Sequence, residues 1–159
     1  MIGAGIIGLA VARELLNRRP RSSLCVFERE RSVGAHQTGH SSGVIHAGIY
    51  YNPGSLKARL CVRGAHALQR YCAERDVAVS RRGKLIVATG PHELPRLDEL
   101  ERRGTANGVA SLRRLDAAEI VHVEPHARGI AALHSPDTAV VDFSSVARAL
   151  ARDVRQAGA

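Results

Sequence analysis

The sequence contains few aromatic side chains and only two lysines. Phe, Tyr and Trp together make up 3% of the 159 residues, and tryptophan is absent. Proteins that bind single-stranded nucleic acid stack the bases on aromatic side chains, and this chain offers few of them. Its net charge of +8 comes from arginines scattered along the chain rather than from a basic run interleaved with aromatic residues. The composition therefore predicts that nucleic acid is not a partner.

The sequence also lacks a long apolar run and a set of cysteines with the spacing of metal ligands. No apolar stretch reaches the roughly 18 residues of a membrane helix, so we expect no integral membrane span. Cys25, Cys61 and Cys72 are odd in number and widely spaced, which indicates reduced thiols and a cytoplasmic protein. With 24% charged and 45% hydrophobic residues, the chain has the composition of a globular domain.

A glycine-rich motif opens the chain. Gly3, Gly5 and Gly8 have the spacing GxGxxG, and the pattern of small and apolar residues predicts a helix over Leu9–Arg18. A short β-type run over Ser23–Phe27 follows, and Glu28 comes directly after it. This order of glycines, helix, strand and acid predicts a Rossmann-like site for a cofactor that contains ADP.

Each part of the motif has a distinct chemical role. The first glycine would form the tight turn, the second would let the backbone approach a pyrophosphate, and the third would allow close packing of helix and strand. Backbone N–H groups at the helix start would bind phosphate, and the acid would accept hydrogen bonds from ribose hydroxyls. The residues expected at the cofactor are Gly3, Gly5, Ile6, Ile7, Gly8 and Glu28.

The strand that should precede the motif is short. Only Met1 and Ile2 stand before Gly3, whereas a typical strand has about five or six residues. Burial of each large apolar side chain stabilises a fold by about 1.5–3 kcal/mol, so a truncated first strand removes much of the stability of a typical domain. We therefore expect this chain to fold poorly or to bind its cofactor weakly.

The segment Ala35–Tyr51 concentrates histidines, hydroxyl groups and glycines. Its polar side chains and bare backbone favour a polar cofactor or substrate over a place in the core. The alternative is an ordinary glycine-rich surface loop. Zinc is not expected, because the i, i+4 pair His36 and His40 would face one way only on a helix, and the glycines oppose a helix.

The remainder of the chain predicts a second, mixed domain. After a long helix over Gly54–Arg75, short β-type runs alternate with small helices between residues 77 and 141. One helix, Pro91–Arg103, is expected to end at Gly104, and Asp142 is expected to begin a last helix over Phe143–Ala157. The predicted fold class is α/β. Residues 1–76 are expected to form a Rossmann-like cofactor-binding domain whose first strand is truncated, and residues 77–141 part of a mixed α+β substrate domain. Residues 142–159 are expected to form a helix that returns to the first domain.

Four stretches of the sequence resemble one family. They are GAGIIGLAVARELL, HQTGHSSGVIHAGIYYNPGSLKARLCVRG, RRGKLIVAT and VEPHARGIAALHSPDTAVVDF. Together they resemble the L-2-hydroxyglutarate oxidase/dehydrogenase family, which belongs to the FAD-dependent, D-amino-acid-oxidase-like superfamily. The resemblance implies FAD as the cofactor and oxidation of L-2-hydroxyglutarate to 2-oxoglutarate. In this reaction a hydride leaves the carbinol carbon for the flavin, and a base takes the proton of the hydroxyl group. It also implies an N-terminal fragment of the complete enzyme, inactive by itself.

The reaction implied by this resemblance needs a base and groups that hold a carboxylate. His46 is the expected base, since histidine titrates near neutral pH and this one lies among small residues. Tyr50, Tyr51 and Lys57 are expected to hold the substrate, Lys57 through its charge. In the alternative interpretation, each histidine only forms loop hydrogen bonds and Lys57 is a solvated helix residue. The expected flavin and pyrophosphate contacts are Thr38, Gly39, His40, Ser41, Ser42 and Gly43.

Two other functions remain open from the residues alone. One is a related flavoenzyme that oxidises an amine, glycine or glycerol phosphate, and the other is a non-catalytic nucleotide-binding remnant. The expected partner is a small 2-hydroxydicarboxylate, and the electron acceptor is oxygen or a membrane quinone pool. The expected location is the cytoplasm, with a peripheral position at the inner membrane as the alternative.

Overall fold

The structure, a computed structural model, describes all residues from 1 to 159. Helices alternate with short strands along the chain, and a 3-10 turn over Pro91–Glu93 leads into the third helix. None of the helices combines the length and the apolar character that a membrane crossing needs. The helices are α1 Ile6–Arg18, α2 Leu56–Glu74, α3 Leu94–Ala106, α4 Ala117–Val123 and α5 Phe143–Gln156; the strands are β1 Val44–Ile45, β2 Val79–Arg81, β3 Lys84–Ala88, β4 Arg113–Asp116, β5 Ala131–Ser135 and β6 Ala139–Val141.

The chain forms two compact units. Unit 1 consists of Met1–Val44, Tyr71–Val79 and Val141–Ala159, and unit 2 consists of Ile45–Arg70 and Ser80–Val140. Residues 45–70, which the sequence analysis grouped with the cofactor domain, belong to unit 2 in the structure. The division into a cofactor domain and a substrate domain stays a prediction.

Unit 1 is built around the packing of α1 against α5. Ala12 and Leu16 of α1 are buried with Val154 of α5, and Met1, Leu24 and Val26 pack around them. The β-type run predicted over Ser23–Phe27 is reduced to one parallel bridge between Ile2 and Phe27. The N–H of Gly3 donates to the carbonyl of Phe27 (2.8 Å), and the N–H of Phe27 donates to that of Met1 (2.9 Å). The pairing is thus limited to Met1–Gly3 on one side and Phe27 on the other.

A buried carboxylate joins three segments of unit 1. Asp153 on α5, whose side chain is 10% exposed, accepts hydrogen bonds from Arg13 on α1 (2.7 Å) and from Arg75 (2.8 Å). The hydroxyl of Tyr71 donates to the same carboxylate (3.1 Å). The carboxylate therefore accepts from three donors, and its removal would leave two guanidinium groups unpaired.

Unit 2 contains an antiparallel sheet in the order β3-β5-β4. Lys84 pairs with Ser135 and Ala88 with Ala131 on one side of β5, while Arg113 pairs with His134 on the other. Alternate residues of β5 face different cores, as the two-residue period of a strand requires. Leu133 packs with Leu97 and Leu100 of α3, and Ala132 packs with Leu115 and Ile120.

Several helix ends differ from those predicted by the sequence, and two of them have a clear physical reason. Helix α1 begins at Ile6 rather than Leu9, because the last glycine of the motif lies inside the first turn of the helix. Helix α3 continues past Gly104 to Ala106, so the prediction that Gly104 ends it is wrong. A Cβ at Gly104 would lie 2.5 Å from Cδ2 of Leu112, and the glycine therefore makes room for packing. The predicted start of α5 is confirmed, since the Asp142 carboxylate accepts from the N–H groups of Ser144 and Ser145.

Candidate functional site

A cavity of about 650 Å³ lies in unit 1 beside the glycine turn. The turn and the first residues of α1 form one wall, and the segment after the Ile2–Phe27 bridge forms another. The cavity is lined by Ile2, Gly3, Gly5, Ile6, Ile7, Gly8, Glu28, Gly34, Ala35, His36, Gln37, Thr38, Ser41 and Phe143. Eight of the twelve predicted cofactor residues, from the motif, from Glu28 and from the segment Ala35–Tyr51, are thus brought to one place.

The three motif glycines are required for different physical reasons. Gly3 has φ +94°, a conformation that side chains rarely adopt. A Cβ at Gly8 would lie 2.1 Å from the carbonyl oxygen of Gly3, so only glycine permits this approach of helix and turn. Gly5 has the ordinary values φ −74° and ψ 174°, and a Cβ there would meet only Oγ1 of Thr38 at 3.4 Å. The protein itself therefore does not require glycine at position 5, and a side chain there would occupy the cavity.

The start of α1 presents unpaired backbone donors to the cavity. The helix has no side-chain cap from Gly5, and the N–H of Ile6 donates to Oγ1 of the buried Thr38 (3.1 Å). No protein atom accepts a hydrogen bond from the N–H of Ile7 or Gly8, and both residues line the cavity. Two free donors at the positive end of a helix dipole are suited to bind a phosphate.

Glu28 supplies a negative charge beside the glycine turn. Its carboxylate accepts hydrogen bonds from the backbone N–H groups of Ala4 (2.7 Å) and Glu30 (3.0 Å). The bonds from Glu30 and Ala4 lower the pKa of Glu28, so the side chain is ionised at neutral pH. Each oxygen keeps a further lone pair that a hydroxyl donor in the cavity could use.

Four of the predicted cofactor residues do not line this cavity. Gly39 and Gly43 form turns: the N–H of Gly39 donates to the carbonyl of Gly34 (3.1 Å), and Gly43 has φ +73°. His40 and Ser42 are exposed, and Nδ1 of His40 donates to the carbonyl of His36 (2.8 Å). Their contact with a cofactor stays a prediction.

The cavity also contains residues that the sequence analysis did not select. His36 is one, and its Nε2 lies 2.9 Å from Oε1 of Glu30. Its place in the segment Ala35–Tyr51 could have suggested it. Phe143 is another: the sequence predicts a last helix that begins there and returns to the first domain, but it does not indicate that this side chain lines the cofactor cavity.

The predicted base lies in unit 2, in a small recess that we call the His46 recess. It is lined by His46, Ala47, Gly48, Ile49, Tyr50, Tyr51 and Lys84. The residue is exposed, yet desolvation of part of its ring, followed by the positive charge of Lys84, lowers the pKa of His46. A neutral imidazole at pH 7 is the form that can accept a proton. Lys57 does not line this recess and is exposed in the first turn of α2.

Comparison with known proteins identifies the family. The DAO family model, described as FAD dependent oxidoreductase, matches residues 1–159. The chain belongs to this family. FAD is its cofactor, as the resemblance predicted.

The curated relatives of this FAD-dependent chain are dehydrogenases. The mitochondrial L-2-hydroxyglutarate dehydrogenase of Nematostella vectensis is 48% identical over 158 residues, which are 99% of this chain and 35% of that protein. The Homo sapiens protein of the same name is also 48% identical, with 99% of this chain and 34% of that protein covered. The chain thus spans about a third of the length of the curated relatives it matches. The expected resemblance to this family is confirmed.

Solved structures confirm the α/β fold class. L-α-glycerophosphate oxidase from Mycoplasma pneumoniae, with FAD bound, has a TM-score of 0.85 and 27% identity over 98% of this chain and 41% of that chain. L-proline dehydrogenase from P. horikoshii also has a TM-score of 0.85, with 22% identity over 99% of this chain and 41% of that one. At 22% identity the second likeness shows the fold alone.

The residues around the unit 1 cavity fit FAD. The volume of this cavity lies within the range of about 300–1,000 Å³ that is usual for ligand sites. The open space over Gly5 would admit a pyrophosphate, and the N–H groups of Ile7 and Gly8 would donate to it. Glu28 would accept hydrogen bonds from the adenosine ribose. The cavity thus has donors for the phosphates and an acceptor for the hydroxyls.

Proposed function

We propose that this chain is the cofactor-binding part of an enzyme that oxidises L-2-hydroxyglutarate to 2-oxoglutarate. The observation that carries the proposal is the 48% identity, over 99% of the chain, to dehydrogenases named for this substrate. The matched span, 99% of the chain, extends over both the unit 1 cavity and the His46 recess. When bound, FAD would supply the acceptor for the hydride that leaves the substrate.

The side chains of the chain itself would perform the other steps. The unit 1 cavity would hold the cofactor through Gly3, Gly5, Gly8, Glu28 and Thr38. His46, with its lowered pKa, would take the proton of the substrate hydroxyl. Tyr50 and Tyr51 would line the place where the substrate lies, and Lys57 is the charged residue that the sequence suggests for a carboxylate.

The proposed partner is a 2-hydroxydicarboxylate of low molecular mass. Oxygen or a membrane quinone pool would accept the electrons, and the latter requires peripheral contact with a membrane. We keep the cytoplasm as the proposed location, although the matched relatives are named as mitochondrial proteins.

A chimaera tests the proposal. Residues 1–159 replace the matching 158 residues of the Nematostella vectensis relative, and flavin absorbance is followed without oxygen after L-2-hydroxyglutarate is added. We expect bleaching in the chimaera and its loss in the His46→Asn version of the same chimaera. A chimaera that contains FAD but is not reduced by L-2-hydroxyglutarate, while the parent relative is reduced, would overturn the proposal. Flavin-fluorescence titration of chain 1–159 measures cofactor binding separately.

A second candidate is oxidation of glycerol phosphate. The structural likeness to L-α-glycerophosphate oxidase, at 27% identity, favours it. The identity to the hydroxyglutarate dehydrogenases is much higher, so this candidate ranks second. Reduction of the chimaera's flavin by glycerol 3-phosphate, and not by L-2-hydroxyglutarate, would reverse the order.

A further inference from the structure

Lys84 lies in the His46 recess without a carboxylate partner. Its Nζ stands 4.7 Å from the centre of the Tyr50 ring, and no acidic side chain lines the recess. The ion pairs of the structure all use arginine or histidine as the cation, so the ammonium group of Lys84 is not neutralised. A half-buried cation that touches an aromatic face and lacks an anion is suited to receive one from solution.

Both sides of the recess are held in place by the fold. Lys84 begins β3 and pairs with Ser135 of β5, and the preceding turn is fixed by the N–H of Gly83, which donates to the carbonyl of Thr138 (2.9 Å). The backbone position of Lys84 is therefore set by the sheet. Less conformational freedom is lost when a ligand binds to a group that is already held.

The tyrosine side is held by Asn107 at the end of α3. Its side-chain Nδ2 donates to the carbonyls of Gly48 and Tyr51, at 2.9 Å each. Arg103 donates to the carbonyl of Tyr50 (3.3 Å). These bonds fix the turn that presents Tyr50 opposite Lys84.

The size of the recess limits what can enter it. Its volume is about 10 Å³, which is close to the room that one water molecule needs. The recess would therefore take one oxygen of a carboxylate, while the rest of the ligand stays outside it.

We propose that Lys84, with Tyr50 beside it, binds a carboxylate of the substrate. This inference rests on the proposed function for the identity of the ligand, a 2-hydroxydicarboxylate. It assigns to Lys84 the role that the sequence suggested for Lys57, which is exposed and does not line the recess. The positive charge of Lys84 also lowers the pKa of His46, so the same ammonium group would bind the anion and favour the neutral form of the expected base.

The composition of the chain gives a direct test, because it contains only two lysines. Chain 1–159 is produced with lysine carrying ¹³C at Cε, and K57R and K84R versions assign the two NMR signals. L-2-hydroxyglutarate is then added at increasing concentration, and glutaramide, an uncharged molecule of the same carbon length, is the control ligand. We expect the Lys84 signal to move in a saturable way with L-2-hydroxyglutarate and not with glutaramide, while the Lys57 signal stays.

Variants extend the test to affinity, with Kd measured from backbone amide shifts. Loss of a charge-assisted contact should weaken L-2-hydroxyglutarate binding about tenfold in Lys84→Gln, whereas Lys84→Arg should stay within about threefold. Arg82→Gln removes a nearby positive charge outside the recess and should change Kd less than about twofold. A merely structural role of Lys84 would lower the melting temperature of Lys84→Gln without this pattern in Kd.

Several results would overturn the inference. They are a shift of Lys57 alone, equal shifts of both lysines, no shift of either, or an equal response to glutaramide. The chimaera assay gives an independent answer on the proposed function. Flavin reduction with an unmoved Lys84 would refute this inference alone, and a moved Lys84 without flavin reduction would refute the proposed function alone.

Discussion

Replacement of Gly5 and of Gly8 by alanine should separate cofactor binding from folding. The two glycines belong to the same turn, yet a methyl group meets different surroundings at each. At Gly8 it would lie 2.1 Å from the carbonyl oxygen of Gly3, whereas real Cβ atoms essentially never come closer than 3.0 Å to such an atom. At Gly5 it would meet only Oγ1 of Thr38 at 3.4 Å, and otherwise the open cavity.

The expected change in stability follows from these contacts. For Gly8→Ala, overpacking against backbone atoms that cannot rotate away costs about 1–3 kcal/mol or more, and the better helix propensity of alanine returns about 1 kcal/mol. The net loss of about 1–2 kcal/mol corresponds to a melting temperature lower by about 2–8 °C. For Gly5→Ala, the loss of a favourable N-cap residue and the lower entropy of the unfolded chain nearly cancel, so the melting temperature should barely change.

Gly5→Ala, which should barely change stability, should instead weaken the binding of FAD. In Gly5→Ala the methyl group occupies the place that a pyrophosphate would take, and Kd for FAD should rise about tenfold or more, equal to ~1.4 kcal/mol. Gly64→Ala is the matched control, since a Cβ there has nothing within 4 Å and Gly64 lies inside α2. It should raise stability by about 1 kcal/mol and leave FAD binding unchanged.

Two measurements check this prediction. Circular dichroism at rising temperature gives the melting temperature of each variant without cofactor, and quenching of flavin fluorescence gives Kd for FAD. The reasoning is refuted if Gly5→Ala melts as low as Gly8→Ala, or if it binds FAD as tightly as the unchanged chain. The first result would mean that the protein needs glycine at position 5 for its own packing, and the second that no cofactor group comes close to it.

Three further predictions concern individual side chains: Thr38, Asp153 and His46. Thr38→Val leaves the N–H of Ile6 without its acceptor and should lower the free energy of unfolding by about 1–2 kcal/mol in urea titrations, while Thr38→Ser should restore most of it. Burial raises the pKa of Asp153, but bonds from Arg75, Arg13 and Tyr71 outweigh it and hold the pKa below 3.8. The stability that this group contributes is therefore present above pH 3.8 and is lost as the pH falls through the lower pKa of the folded state. Asp153→Asn should lower the free energy of unfolding by about 1–2 kcal/mol at pH 7 and remove this dependence on pH. The exposed Asp137→Asn is the control and should do neither. The pKa of His46, observed by NMR of its ring, should lie below 6.5 and should rise in Lys84→Gln; no change in that variant would show that Lys84 does not act on it.

The sequence was most informative where local chemistry decides the structure. The glycine spacing with Glu28 predicted a dinucleotide site, and the structure brings Gly3, Gly5, Gly8 and Glu28 to one cavity. Asp142 predicted the start of α5, because an N-cap needs only a side-chain oxygen and the next few N–H groups. The family resemblance also came from contiguous stretches of sequence, and the family comparison confirmed it.

Other features depend on residues that lie far apart in the chain. Gly104 suggests a helix end, yet it lies within α3, and Leu112 occupies the space that a side chain there would fill. Phe143 reaches the cofactor cavity only through the packing of α5 in unit 1. Lys84 reaches the His46 recess only through the packing of Ile49 against β3 in unit 2.

The sequence by itself thus determined the chemistry that is available: a phosphate-binding turn, a ribose acceptor and a histidine-rich segment. Only the tertiary structure decided which side chains share a site, and it placed Lys84 rather than Lys57 beside His46. The physical reason is that a motif is set by local backbone geometry, whereas the neighbours of a side chain from a distant segment are set by how the elements pack.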